Sequence, residues 1–331
     1  MTAKPRVPRQ PRRAKPGSPP AAPEPIGSVP LAVGAKRHPA LGLGLWGLGR
    51  WSAEDEARTK ATIARAYELG IRWFDTAEVY GAGRSERLLG DVLHRTADGG
   101  NEALVVTKLS WEHLRASQVR ASLVRSLDRL GRRSVDVYLV HAPDPHVPLQ
   151  ETMGVLETLW KEGRIGAIGV SNFSVEQLEE AARHLSETRL VVNQVRYNLF
   201  DREDGEAVGR YCREHRIVVE AYTPLARGLL HGRYLDGRRV PAEVRQYAQD
   251  LFGDSRLPEI VRRVRALQEL AGEAGVPLPS LALHWLRSQG AAPVFGASRP
   301  EQVVSNLDAW AHRPSDEVLA RADAIARGER A

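Results

Sequence analysis

The chain has 331 residues, enough for one large α/β barrel or two smaller domains, and its 42% apolar content is ordinary for a globular protein. Its one cysteine, Cys212, excludes an intramolecular disulfide and suits a reducing compartment, and no Cys/His array has zinc spacing. The net charge of +6 is uneven: residues 1–28 carry six basic groups against Glu24, so +5 belongs to this tail and the body is close to neutral. The basic balance therefore gives no reason to propose nucleic acid as a partner of the folded part.

The tail also holds eight of the 21 prolines and cannot bury a core, so residues 1–28 are expected to be disordered, with the folded unit over 29–331. Arg12-Arg13 lacks the apolar run of an export signal. No stretch approaches the ~18 apolar residues that a membrane span needs. Residues 28–33 and 39–43 are expected to form a short hairpin around Gly34-Ala35-Lys36.

Gly42-Leu43-Gly44-Leu45-Trp46-Gly47 matches G-x-G-x-x-G. In a dinucleotide-binding βαβ unit the third glycine lies in the first helical turn, and an acidic residue follows about 20 positions later. Here the helix starts at Ser52, whose pattern to Asp55 is that of a capping box, and the next strand ends too far along, at Asp75. A glycine-rich strand end that turns tightly fits better.

Beyond it the chain alternates. Helical spacing covers 53–69, a strand 71–75, a helix 84–94, a strand 103–108, a helix 116–130 and a strand 135–140. Then follow helix 149–161, strand 165–170, helix 174–185, strand 190–195, helix 204–214 and strand 217–221. Residues 201–205 read as a short loop without a role. A long connection, 223–257, interrupts the rhythm before helices 258–274 and 279–288, strand 292–295, and helices 300–310 and 315–327. With a first strand at 41–45 there are eight apolar strands, each followed by helix, which predicts a parallel sheet closed as a single (β/α)8 TIM barrel. A doubly wound sheet is the alternative.

Polar residues cluster where these strands end. Asp75 ends Ile71-Arg72-Trp73-Phe74, Lys108 follows Leu104-Val105-Val106-Thr107, and His141 follows Val135-Asp136-Val137-Tyr138-Leu139-Val140. Tyr80 lies five residues beyond Asp75. Each alone has a structural reading: a cap, a surface phenol, a solvated lysine, a satisfied histidine or half of a metal pair with His146. Together they suggest a proton-transfer device at the C-terminal face of a barrel. A phenol of pKa ~10 needs a neighbouring cation to lower it, and Lys108, oriented by Asp75, is that cation. His141 is placed to hydrogen-bond a carbonyl oxygen. The set supplies no electrons, so an organic hydride donor is implied.

Gly70-Ile71-Arg72-Trp73-Phe74-Asp75-Thr76-Ala77 with Tyr80-Gly81, Val106-Thr107-Lys108, and the run to His141 resemble the aldo-keto reductase superfamily. So do Gly169-Val170-Ser171-Asn172-Phe173-Ser174, Asn193-Gln194-Val195, Ala221-Tyr222-Thr223-Pro224-Leu225-Ala226-Arg227-Gly228, and Gly296-Ala297-Ser298-Arg299-Pro300-Glu301-Gln302. The resemblance covers residues 29–327, is nearest the shorter prokaryotic-type branch, and implies a barrel that binds NADPH, with NADH left open, and reduces aldehydes or ketones.

By this resemblance Tyr80 is the general acid/base, Asp75 and Lys108 its tuning pair, and His141 the carbonyl orienter. Ser171, Asn172 and Gln194 hold the nicotinamide carboxamide and Tyr222 stacks on its ring. Gly44, Trp46 and Asp75 border the same cofactor end. Thr223, Leu225 and Gly228 follow the pyrophosphate, with Arg233 as an extra phosphate contact. Gly296, Ser298, Arg299, Gln302 and Asn306 surround the adenosine and its 2′-phosphate. Leu45 stands where many relatives have threonine, and Gly296 where lysine is common. Trp46, Tyr80, Trp111 and His141 form the substrate site, whose aromatic walls suit a planar or apolar carbonyl compound. The expected partner is this small molecule, with no metal, nucleic acid or membrane, for a monomer or small homo-oligomer in the cytoplasm. A regulatory, channel-subunit-like barrel that senses nicotinamide nucleotides with slow turnover is the alternative.

Overall fold

In the computed structural model, residues 36–46, 52–235, 240, 249–253 and 256–329 are described. The 1–28 tail and the first arm of the expected hairpin lie outside them. Eight parallel strands close into a barrel in sequence order: β1 Gly42–Gly44, β2 Trp73–Asp75, β3 Leu104–Leu109, β4 Val137–Val140, β5 Ile168–Ser171, β6 Leu190–Arg196, β7 Val218–Tyr222 and β8 Ala291–Gly296. The β8–β1 pairing, Leu43 opposite Phe295, removes both edges and with them the doubly wound alternative.

Helices return the chain between strands: α1 Ala53–Glu68, α2 Arg84–Leu93, α3 Ala116–Leu130, α4 Leu149–Lys161, α5 Val175–Arg183 and α6 Glu203–Glu214. Their starts follow local chemistry. Ser52 and Asp55 form a reciprocal capping box at α1, as expected, and Ser174 and Gln177 form another at α5. The expected loop at 201–205 is overturned: α6 begins at Glu203, with three acidic residues in its first turn, and a Cβ on Gly205 would lie 2.2 Å from the Tyr197 ring. After β7 come a 3-10 segment, Ala226–His231, and a short helix, Gln249–Phe252, before helices Leu257–Glu273, Leu278–Ser288, Pro300–Ala311 and Asp316–Arg327. No helix among the described residues is long and apolar enough to cross a membrane.

The two-residue period of the strands sorts every side chain inward or outward. Leu43, Phe74, Val105, Val140, Val170, Val195, Ala221 and Phe295 face the helices in the larger core. Trp73, Leu104, Val106, Val137, Leu139, Val192, Val218 and Val294 fill the barrel interior. Continuing that inward parity towards the C-terminal ends brings Asp75, Lys108, His141, Ser171, Gln194 and Tyr222 to one mouth.

Trp73 fits inside only because its neighbour is Gly42, where a Cβ would meet the indole at 2.3 Å. A Gly42→Ala substitution is expected to cost about 1–3 kcal/mol by overpacking. Urea unfolding with an unchanged m-value checks this; an unaltered midpoint would contradict it.

Candidate active site

Lys108 lies within β3, one residue before its end, and is fully buried in the barrel. Its Nζ donates to Asp75 Oδ1 at 2.7 Å, the Thr76 carbonyl at 2.9 Å and Tyr80 Oη at 3.1 Å. An ammonium has three N–H donors and no acceptor, so these three oxygens match it completely. Burial alone lowers the Lys108 pKa, but Asp75 and Tyr80 outweigh it and raise it overall. Because Tyr80 Oη accepts from Lys108, its own proton is directed elsewhere.

Lys108 does pull the phenol down, as expected, but burial outweighs that pull. Burial pushes the Tyr80 pKa up to about 12, against the opposing pull of Lys108. Tyr80 is thus a protonated acid at neutral pH in the free protein. Burial likewise raises the Asp75 carboxyl, with Lys108 opposing and Glu220 adding to the rise.

Tyr80 is carried by a turn after β2 in which Gly81, Ala82 and Gly83 all have positive φ. Glu78 fastens this turn to the chain beyond β3, which sequence reasoning missed. Glu78 accepts from the Ser110 N–H at 2.6 Å, lies 3.0 Å from His113 Nδ1, and also accepts from Ser122. Burial would raise the Glu78 carboxyl, but these bonds hold it low.

His141 follows β4 and donates its backbone N–H to Leu109. Its ring meets Tyr80 and Trp111 edge-on, each at 5.6 Å. Burial first, then Lys108, lowers its pKa to about 3, so the ring is neutral at physiological pH. Its Nδ1 is buried without a hydrogen-bond partner. His146 makes no cluster with it: among the described residues no group of three or more His, Cys, Asp or Glu could hold a metal ion.

The remaining predicted residues line the same face. Asn172, at φ 61°, donates to the His141 carbonyl at 3.1 Å and to Ser171 Oγ at 3.0 Å, and accepts from Tyr222 Oη at 3.0 Å. Gln194 is buried, with Nε2 donating to Asp75 Oδ2 at 2.8 Å and to Glu220 Oε2 at 2.6 Å. Thr223, Ala226 and Arg227 also have positive φ, backbone strain that gathers where β7 turns over the mouth. Thr223 Oγ1 is buried and unpartnered. Leu225 puts its side chain in the core and offers only backbone to the mouth. Gly228 has φ 98° with the Arg233 side chain 3.4 Å from where a Cβ would stand, and Arg233 is exposed.

Gly44 ends β1, and Trp46 and Trp111 are exposed at the rim, the Arg227 guanidinium 4.8 Å above the Trp46 ring. Gly296, Ser298 and Arg299 are exposed at the end of β8, with open space about Gly296. Ser298 donates through N and Oγ to Gln302 Oε1 at 2.7 and 3.1 Å. Arg299 is the exposed N-cap residue of the next helix, and its guanidinium, a donor only, makes no capping bond. Asn306 is fully buried beside His231, and neither amide atom has a hydrogen bond of good geometry.

The depressed His141 pKa has a thermodynamic consequence. Between about 3 and the ordinary 6.5 the unfolded chain binds a proton there and the folded chain does not. This contribution to stability is complete above 6.5 and is lost as pH falls. Lowering pH from 7 to 5 should cost the wild type about 2 kcal/mol more than a His141→Gln variant, read by urea unfolding at both pH values. Equal losses would contradict the shift.

The aldo/keto reductase family model matches residues 40–327. The chain is 33% identical over 291 residues to the aldo-keto reductase YhdN of Bacillus subtilis, covering 84% of this chain and 87% of that one. It is 30% identical over 294 residues to a probable voltage-gated potassium channel subunit beta of rice (Oryza sativa subsp. japonica), covering 83% and 89%. An aldo-keto reductase from Klebsiella pneumoniae, solved in complex with NADPH, superposes with a TM-score of 0.72 at 29% identity, covering 90% of this chain and 94% of that one. With its barrel, its buried Asp75 and Lys108 and its half-buried Tyr80, the chain belongs to the aldo/keto reductase family.

Proposed function

We propose that this protein reduces aldehydes or ketones to alcohols with NADPH, Tyr80 acting as the general acid. The observation that carries the reading is the Lys108 ammonium, which takes Tyr80 Oη as its third acceptor and leaves the phenolic proton for a substrate. The residues present fit the cofactor. Buried polar atoms stand unpartnered at His141 Nδ1 and Thr223 Oγ1, both on segments that follow strand ends at the mouth. Bound NADPH supplies the hydride, which no side chain here can furnish.

The chain's own residues do the rest. The neutral His141 ring hydrogen-bonds the carbonyl oxygen and fixes it near Tyr80 without adding a second cation. Tyr80 would give its phenolic proton to the carbonyl oxygen as charge develops there. Lys108 then stabilises the phenolate it already touches, and Asp75 keeps Lys108 charged. Ser171, Asn172 and Gln194 present amide and hydroxyl groups to the carboxamide, and the Tyr222 ring lies beside them. Gly44, at the end of β1, would border the nicotinamide end. The Thr223–Gly228 turn, with Arg233, would hold the pyrophosphate, and Ser298, Arg299, Gln302 and Asn306 with Gly296 would hold the adenosine end. Arg299, a planar fork, supplies the charge for a 2′-phosphate. Trp46 and Trp111 at the rim favour a planar or apolar carbonyl substrate.

A second reading, a regulatory barrel that senses nicotinamide nucleotides, is supported by the rice relative named as a channel subunit. The two part on turnover. The intact set of Asp75, Tyr80, Lys108 and His141 supports the enzyme.

A Tyr80→Phe variant should lose about 10²–10⁴-fold in aldehyde reduction, the usual worth of a positioned acid. NADPH affinity, read by quenching of tryptophan emission, should stay within about threefold, since the ring remains. Full reductase activity in the variant would remove Tyr80 from its role.

A further inference from the structure

Among the buried groups that the proton-transfer steps do not use, two lie deep in the barrel. Glu220, on β7, is fully buried, and His38, just before β1, is 1% exposed. His38 Nε2 lies 2.7 Å from Glu220 Oε1, and the His38 ring sits edge-on to Trp73 at 4.3 Å. The Pro39 carbonyl is 2.9 Å from His38 Nδ1, and a carbonyl only accepts, so Nδ1 carries a proton. The second proton, between Nε2 and Oε1, rests on the imidazole in an ion pair or on the carboxyl in a neutral pair. In both forms Glu220 Oε2 remains an acceptor, and Gln194 Nε2 donates to it at 2.6 Å.

The Gln194 amide is thus held between two carboxyl groups. One N–H goes to Asp75 at 2.8 Å and the other to Glu220. An amide flanked by two acceptors has one orientation, with nitrogen towards both, and Oε1 on its opposite edge. With Asp75 alone the second N–H would be an unpaired buried donor, and the side chain would turn to satisfy it.

We propose that Glu220, anchored by His38, is a positioning residue for nicotinamide recognition: it fixes the Gln194 amide so that its oxygen faces the carboxamide N–H of the cofactor. The inference rests on the NADPH-reductase reading above. It assigns a role to a carboxylate and an imidazole that touch neither substrate nor cofactor, and it extends the buried polar string from Lys108 through Asp75, Gln194 and Glu220 to His38.

Calorimetric titration with two ligands tests it: NADPH, and 2′-phospho-ADP-ribose, which keeps the adenosine, phosphates and distal ribose but lacks nicotinamide. In Glu220→Leu, NADPH binding should weaken about tenfold, the effect of one misplaced hydrogen-bonding group, while 2′-phospho-ADP-ribose stays within about twofold. Glu220→Gln keeps an acceptor for Gln194 and a donor for neutral His38, and should restore NADPH binding. If leucine prevents folding, Glu220→Asp withdraws the acceptor by one methylene and should show the same selective loss. Unchanged NADPH affinity, or equal weakening of both ligands, overturns the proposal. Failure of the wild-type chain to bind NADPH overturns the reductase reading itself, and this inference with it.

Discussion

The structure turns on one buried cation. Lys108 is fully enclosed, and desolvating an ammonium costs several kcal/mol unless every N–H is met. Asp75, Thr76 and Tyr80 meet all three. Two of those partners come from the end of β2 and the third from the turn that follows it. The cation therefore sets the relative position of β2, β3 and that turn, and through it the place of the phenol. Removing Asp75 would leave a buried charge short of its strongest partner, so the geometry and the charge state stand or fall together.

The rest of the barrel serves that arrangement. Small residues inside, Gly42 above all, let Trp73 fill the lower interior and seal the charged layer from below. Glu78 ties the Tyr80 turn to Ser110, His113 and Ser122, so the phenol is held from its loop as well as from Lys108. Beside the pair, Asp75 shares Gln194 with Glu220, which links the Lys108–Tyr80 side of the mouth to the residues proposed to hold the carboxamide. Backbone strain gathers at Asn172, Thr223, Ala226 and Arg227, all on the loops of this face. Strain there, while the strands carry the packing, fits a fold in which loops do the chemistry and the barrel holds them in place.

Much of this is legible in the sequence because strand periodicity and capping are local. Helices 116–130 and 149–161 stand where apolar spacing put them, and Ser52 caps as its pattern to Asp55 implied. Strand starts were less legible: 135–136 and 165–167 read as strand, yet only a lone bridge, Val135 to Ile165, forms there before β4 and β5 begin. Apolar residues that lead into a barrel look the same as those within its ladder. Glu220 carried a readable signal, a charge at an inward position of Val218-Val219-Glu220-Ala221-Tyr222, but its partner His38 lies 182 residues away and only the fold joins them. The direction of the Tyr80 pKa was not legible. Sequence shows the neighbouring cation but not the depth of burial, and burial wins.

The proposed chemistry requires Lys108 to support charge on Tyr80 as the proton leaves. The most direct measurement is single-turnover hydride transfer to an aldehyde, followed by loss of NADPH absorbance, in wild type and Lys108→Met. Methionine fills the same tunnel without charge or donor. The account predicts a transfer rate lower by about 10²–10⁴-fold with NADPH still bound, the loss expected when a positioned acid is left unsupported. A methionine variant that transfers hydride at the wild-type rate would contradict it.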